Sequence, residues 1–259
     1  MAISKVSGKA WADIAKVDGV SAADIANVSG VDAPAGAGIV TSGLFQFYDA
    51  ANASSYPGSG TTWTDLQGNY NVTLYNGVAY NSSAPKHFDF DGVNDYARAP
   101  STYTASHSEF TVEAWFRKDG SGNYRQSIVS ALGQNVSNRR FGLNCENYSN
   151  NGRLLAYNTT GSSLSVYTTT NFATGTWYFM TGTMGSGSLK VYVNGSLENT
   201  GSLSGSARSC DVFGIGERQL TFRDFFNGDI AKVRVYNRAL NASEILQNWN
   251  FEKTQFGYT

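Results

Sequence analysis

The stretch Leu189-Lys190-Val191-Tyr192-Val193-Asn194-Gly195 decides the fold class. Leu189, Val191 and Val193 recur with the period of two that puts alternate side chains on one face of a strand. Asn-Gly follows at once, and this pair readily takes the two positive-φ positions of a tight hairpin turn. The same pattern appears on either side of it. In Phe110-Thr-Val-Glu-Ala-Trp-Phe116, residues Phe110, Val112, Ala114 and Phe116 share a face. Ala231, Val233 and Val235 alternate with Lys232 and Arg234. Strands at short, regular spacing with Gly and Asn turns predict an all-β fold, a sandwich of two antiparallel sheets. One helix closes the chain. Asn241-Ala-Ser-Glu244 is a capping box, Leu240 and Ile245 form its hydrophobic staple, and Trp249 and Phe251 lie in its last turn.

Composition narrows the function. The 259 residues carry 19 Lys plus Arg against 20 Asp plus Glu, a net charge of −1. A nucleic-acid binder would show a basic face or stripe, so no nucleic-acid partner is expected. No apolar run approaches the roughly 18 residues of a membrane span, so no membrane partner is expected either. Charged residues are only 15% and glycines number 28, which suits a turn-rich β protein rather than a disordered chain. No apolar segment follows Lys5, so no secretory signal is expected. Cys145 and Cys210 are too few and too far apart for a metal site of the paired-cysteine type. They read as two small buried hydrophobes, and a disulfide between neighbouring strands stays open.

Residues 1–32 repeat with a period of eleven: Ile3, Ile14 and Ile25 correspond, then Val6, Val17 and Val28, then Gly8, Gly19 and Gly30. Each unit reads as a two-turn helix closed by glycine. In the third, Ser21 is the N-cap, Asp24 its capping-box partner, Val20 and Ile25 a staple, and Gly30 the left-handed cap. Helices this short do not stand alone in water. Their apolar stripe must dock, and Ile3, Val6, Trp11, Ile14, Val17, Ile25 and Val28 are the expected attachment side chains. The alternative is that they pack on their own domain. Residues 33–42 read as a linker and 43–259 as the β domain.

Five segments, in order, carry a resemblance. They are Gly43-Leu-Phe-Gln-Phe-Tyr-Asp-Ala50 with Thr62-Trp-Thr-Asp65, then Phe88-Asp-Phe-Asp-Gly-Val-Asn-Asp-Tyr96, then Phe110 to Trp115. Thr176-Trp-Tyr through Lys190-Val-Tyr-Val-Asn-Gly195 and Gly228-Asp-Ile-Ala-Lys-Val-Arg-Val-Tyr-Asn-Arg-Ala-Leu240 complete the set. Together they resemble the laminin-G-like (concanavalin A-like) jelly-roll family. The N-terminal Ile-Ala-Lys-Val-x-Gly-Val repeat and the tail Gln247-Asn-Trp-Asn-Phe-Glu-Lys-Thr-Gln-Phe-Gly257 are similar to structural proteins of tailed bacteriophages. That likeness implies a non-enzymatic virion component, a head decoration, fibre or adhesin, made in the host cytoplasm and released by lysis. Its arm would contact capsid, neck or fibre proteins, and the chain would form a homo-oligomer with weak contact to a host surface glycan. A carbohydrate-binding adhesion module of a bacterial surface protein is the first alternative; a concanavalin-fold glycan hydrolase is the second.

The hydrolase needs two carboxylates across a cleft. No run of alternating acids matches that need. Asp89 and Asp91 alternate but lead into a turn, and Glu113 is a lone acid on a core strand. The two histidines, His87 and His107, stand in polar stretches and read as surface residues. The family resemblance implies calcium held by hard oxygen ligands at loop edges. Asp65, Asn69 and Asn71 form one candidate set and Asp91, Asn94 and Asp95 another. The competing account is Asx-turn chemistry, in which Asn and Asp hold tight turns through backbone N–H groups. A sugar face would want aromatic rings flanked by amides, and Tyr124, Asn147, Tyr148 and Tyr157, near Asn150 and Asn151, are the candidates.

Overall fold

A computed structural model of the chain describes residues 38–120, 125–133, 137, 139–146, 150–218 and 224–259, and the backbone of four short strands near the N-terminus. Those four are β1 (Lys5–Val6), β2 (Lys9–Ala10), β3 (Lys16–Val17) and β4 (Val20–Ser21). β1 pairs with β2, and β3 with β4, both antiparallel and in the same register eleven residues apart. This corrects the helical reading of the first two units. Two residues separate each pair, Ser7-Gly8 and Asp18-Gly19. Such a glycine-ending dipeptide after a β-branched valine suits a two-residue hairpin at least as well as a helix end. Ile3, Trp11, Ile14, Ile25 and Val28 lie outside the described residues. Val6 and Val17 fall in the short strands.

The body begins with β5 (Leu44–Asp49), β6 (Thr62–Trp63), β7 (Val72–Tyr75), β8 (Ala79–Asn81), β9 (His87–Asp91) and β10 (Tyr96–Arg98). Long central strands follow: β11 (Phe110–Lys118), β12 (Arg125–Leu132), β13 (Arg139–Glu146), β14 (Asn151–Tyr157), β15 (Ser163–Asn171) and β16 (Trp177–Gly185). The chain then runs through β17 (Ser188–Val193), β18 (Ser196–Ser202), β19 (Gly214–Ile215) and β20 (Asn227–Tyr236) to the helix α1 (Ala242–Glu252). One sheet has the order β15-β14-β13-β12-β19-β10-β7-β6. The other has the order β18-β17-β16-β11-β20-β9-β8, with β5 also pairing to β20. The expected two-sheet antiparallel sandwich with one C-terminal helix is therefore the observed architecture. The Asn194-Gly195 turn joins β17 to β18 with φ of 51° and 79°.

Between the sheets lies a core that includes Trp63, Phe88, Phe90, Phe110, Phe116 and Phe141, all fully buried. Cys145 and Cys210 belong to it as free thiols, as small buried hydrophobes would. A second core lies on the far side of the β11 sheet, where α1 and the tail cover Trp115, Trp177, Phe179 and Tyr236 with Trp249 and Phe256. Val40, assigned to the linker, packs here too, its N–H donating to Asn248 Oδ1 at 2.7 Å. The capping box of α1 is formed in both directions between Asn241 and Glu244.

Beneath α1 the strands leave charged residues on the covered face. Arg234 donates to both oxygens of Glu252 at 2.8 Å and through Nε to Glu113 at 2.9 Å. Lys232 reaches Glu252 at 3.1 Å and Asp49 at 3.2 Å. Trp115 Nε1 donates to Glu252 at 2.8 Å. Burial would raise the Glu252 carboxyl, but Arg234 and Lys232 outweigh it and hold it at about 2. Burial pushes Glu113 up, with Arg234 only partly opposing.

Candidate functional site

The two outer faces of the sandwich differ. α1 seals the face of the β11 sheet; on the outer face of the eight-stranded β12 sheet Ser127, Ser130 and Asn144 are buried as well, and the open part lies at β7 and β10, where Tyr75 is exposed. Strand alternation fixes what stands on it. Val72, Leu74 and Ala97 point into the core, which turns Thr73, Tyr75, Tyr96 and Arg98 outward. Leu143 and Cys145 are core residues, which turns Gly142 and Asn144 outward.

Register then assembles residues from distant parts of the sequence. Tyr75 pairs with Tyr96 across β7 and β10, and their rings stack at 4.7 Å and 20°. Phe225 extends the stack at 6.3 Å from Tyr96. The Arg98 guanidinium lies over the Tyr96 ring, 4.4 Å from its centroid. Arg98 also forms a bidentate pair with Glu217, both bonds at 2.6 Å. Burial raises the Glu217 carboxyl above its ordinary range, against the pull of Arg98. Gly214, opposite Arg98, leaves room for this carboxylate: a Cβ there would sit 2.9 Å from Glu217 Cγ and would force the Glu217 side chain to shift.

Farther across the sheet, Ser127 pairs with Asn144, Asn144 with Arg153, and Arg153 with Tyr167. Glu146 accepts from Arg125 at 2.7 Å and from Arg153 at 3.4 Å. Arg218 pairs with Asp224 at 3.1 Å, and the Asp224 carbonyl accepts from the Ser127 N–H. Burial raises Asp224 and lowers Arg218. Among the described residues, Ser127 Oγ, both amide atoms of Asn144 and Nε of Arg218 are buried without a hydrogen-bond partner. Unmet buried polar atoms cost about 1–3 kcal/mol each, so such a group in one place needs a reason.

Sequence reasoning did not find this face. Tyr124, Asn147 and Tyr148 lie outside the described residues, next in sequence to Arg125 and Glu146. Tyr157 stands on this same face, since Ala156 before it points into the core, but it is buried with Leu132 and Leu155 and presents no open ring. Asn150 accepts from Lys118 Nζ at 2.6 Å, and Asn151 donates to the Thr168 carbonyl. The available signal was short and easily missed: Thr73-x-Tyr75 and Tyr96-x-Arg98 each set two polar or aromatic residues on one face.

The acidic side chains of both calcium candidate sets are engaged in turns, the first set completely and the second in part. Asp65 accepts four backbone N–H groups, from Phe47 and Gln67 on one oxygen and from Asn69 and Tyr70 on the other. Asn71 accepts from the Asp65 N–H, and Asn69 donates to the Phe45 carbonyl. No lone pair of Asp65 is left for a cation. In the second set, Asp91 Oδ1 accepts from the N–H groups of Val93, Asn94 and Asp95. Burial would raise Asp91, but these amides outweigh it and hold it below its ordinary value. Asp95 keeps one buried oxygen without a partner, and burial with the nearby Asp91 charge raises its carboxyl.

Asp89, Asp119 and Asp229 bring carboxylate oxygens within 4.8 Å of one another. Asp229, however, is engaged by Arg117 at 2.6 Å and by His87 at 3.2 Å. His87 is thus buried and paired, not a surface residue, because Trp177 packs edge-on to its ring at 5.5 Å. His107 is half-buried with its ring edge against Phe45.

The fold has close counterparts among solved structures. Trypanosoma rangeli sialidase in complex with sialic acid aligns with a TM-score of 0.62 at 21% identity, over 86% of this chain and 35% of that one. The binding domain of botulinum neurotoxin DC in complex with SialylT aligns with a TM-score of 0.60 at 14% identity, over 82% of this chain and 51% of that one. The binding domain of botulinum neurotoxin serotype D gives 0.61 at 16%, over 82% and 52%. The chain thus spans about a third to a half of those proteins, and the likeness is one of fold. No curated protein sequence matches it. The family described as the concanavalin A-like lectin/glucanases superfamily matches residues 91–246, more than half of the chain. By that match and by its two-sheet architecture, the chain belongs to the concanavalin A-like lectin/glucanases superfamily.

Proposed function

We propose that the chain is a non-enzymatic glycan-binding jelly roll, held on a larger assembly by its N-terminal arm. The observation that carries the binding reading is the stacked Tyr75–Tyr96 pair. It offers partly exposed ring area beside the Arg98–Glu217 pair, on the face that α1 leaves uncovered. Aromatic rings match the apolar faces of sugars, and neighbouring charged groups match their hydroxyls. The solved relatives named with sialic acid and SialylT make sialylated glycans the first to try. The carboxylates of this face, Glu146, Glu217 and Asp224, are each tied to arginine. A carboxylate so held is a poor general acid or nucleophile, which supports a binder over a hydrolase.

The assembly is a virion in this reading, on the strength of the arm's likeness to tailed-bacteriophage proteins. Its partners are capsid, neck or fibre proteins and further copies of the chain. Two-residue hairpins are too small to be stable alone, which supports an arm that orders on a partner. A glycan array with the full chain, repeated with Tyr75→Ala and with calcium added or chelated, tests the binding half. Signal on one glycan class that the substitution abolishes supports it; an array at background refutes it. Particle incorporation of the full chain against a chain lacking residues 1–37 tests the arm, and undiminished incorporation refutes it.

A further inference from the structure

The chain holds four Asn-Gly pairs, at 76–77, 151–152, 194–195 and 227–228. A glycine after asparagine leaves its backbone nitrogen unshielded, because no Cβ stands beside it. That nitrogen lies within reach of the asparagine side-chain amide one residue back. The four pairs meet very different surroundings. We propose that Asn76 is a site of spontaneous deamidation, and that the fold protects the other three asparagines from the same reaction.

Three pairs are locked. Asn151 donates to the Thr168 carbonyl at 3.1 Å, and the Gly152 N–H donates to Thr168 Oγ1 at 2.6 Å. Asn194 accepts from the Phe179 N–H at 3.0 Å and donates to the Tyr258 hydroxyl at 3.3 Å. Asn227 donates to the Asp119 carbonyl at 3.3 Å, and Gly228 after it faces Phe90 on one side and Lys118 on the other within the sheet. All three glycines are buried. A Cβ would lie 2.6 Å from Met180 at Gly152, 3.0 Å from Trp249 at Gly195 and 2.2 Å from the Arg117 carbonyl at Gly228. Such spaces leave no room for a ring to close.

The remaining pair is open. Asn76 and Gly77 are both exposed, in the turn that follows β7, with φ of 65° and 112°. Among the described residues the Asn76 side chain makes one hydrogen bond, from Nδ2 to the Asn94 carbonyl at 2.7 Å. Around a Cβ position at Gly77 the nearest atom is Asp95 Oδ1, 4.0 Å away. In the reaction the Gly77 nitrogen attacks Asn76 Cγ. The new C–N bond closes a succinimide, the side-chain nitrogen leaves as ammonia, and the Gly77 amide proton leaves with it. Water then opens the imide. Opening at Cγ gives aspartate, and opening at the main-chain carbonyl gives isoaspartate, in which the backbone runs through Cβ and Cγ. Either product loses the Asn76–Asn94 link and sets a carboxylate next in sequence to Tyr75.

The test is peptide mapping by mass spectrometry after the full chain has stood in buffer at pH 8, folded or unfolded in urea. In the folded protein Asn76 is expected to convert at least roughly tenfold faster than Asn151, Asn194 or Asn227, because those must first break hydrogen bonds and unpack a glycine. In urea the four rates should converge. Ion exchange should resolve the folded product as one peak with an extra negative charge. Asn76→Gly, which suits the positive φ there, should remove that peak. An Asn76 that stays an amide in the folded protein overturns the proposal. So does another Asn-Gly pair that converts as fast before unfolding, or an acidic peak that survives in Asn76→Gly.

Discussion

Glu252→Gln is expected to destabilise the protein by about 2–3 kcal/mol at pH 7, and to do so less and less as the pH falls. Three carboxylates, Asp49, Glu113 and Glu252, share two buried cations, Lys232 and Arg234. The split is unequal. Glu252 takes both guanidinium nitrogens, the Lys232 ammonium and the Trp115 indole, and is held at about 2 against 4.5 for the free side chain. Glu113, with one Arg234 contact through Nε, the Asn248 amide and the Thr181 hydroxyl, is pushed up by burial instead. A depression of that size on a fully buried group is worth about 3 kcal/mol of linkage. Because folding lowers this carboxyl, its contribution is complete above about 4.5 and is lost as pH falls through about 2. At pH 3 roughly 1.4 kcal/mol remains.

In the variant two carboxylates face two cations. Arg234 turns its whole charge on Glu113, whose carboxyl then falls back toward the ordinary range, and that return trims the loss at pH 7. Glu113 itself has the opposite slope, since a raised carboxyl favours folding when protonated and loses that advantage as pH rises. Urea unfolding of parent and variant at pH 7 and pH 3, compared at equal m-values, reads the difference directly. A loss under 1 kcal/mol at pH 7 would refute the assignment of Glu252 as the charged hub. So would a gap that does not narrow at pH 3, because that signals a packing defect rather than a missing charge.

Asp65→Ala frees four backbone N–H groups in the turn between β6 and β7 and should cost about 2–4 kcal/mol. Thermal unfolding with and without millimolar calcium checks it, and an ion effect on the parent that the variant lacks would reverse the turn-only account. Cys145 and Cys210 are buried thiols that burial pushes up, Cys210 to about 12. They should resist a disulfide-exchange reagent at pH 8 until the protein is unfolded in guanidinium, and native labelling of either would show that the inter-sheet core opens.

What the sequence yielded divides along the range of the interactions involved. The β17–β18 hairpin and the α1 capping box were legible because a period of two, an Asn-Gly pair and an Asn-x-x-Glu spacing act within a few residues. The arm misled for the same reason: Val-x-Gly at a period of eleven satisfies a short helix with a glycine cap and a two-residue hairpin equally. His87 looked solvated because its cover, Trp177 and Asp229, comes from β16 and β20. The Tyr75–Tyr96 pair could not be read at all, because the two rings meet only through the pairing of β7 with β10.

Glu113 and Trp115 point to why the two outer faces must have different jobs. Alternation on β11 sends both away from the inter-sheet core, where a two-layer sandwich would leave them in water. A third layer covers them instead. Uncovering that face would expose Trp115, Trp177, Phe179, Tyr236, Trp249 and Phe256, each worth about 1.5–3 kcal/mol when buried. The sum, on the order of 10 kcal/mol, is as large as the whole stability of an ordinary domain. Ligand binding there would have to unfold α1 and leave Arg234 without Glu252. The β12 sheet differs at its β7–β10 end, where Tyr75 stands 41% exposed beside Tyr96, and a ligand that settles on that edge displaces no helix.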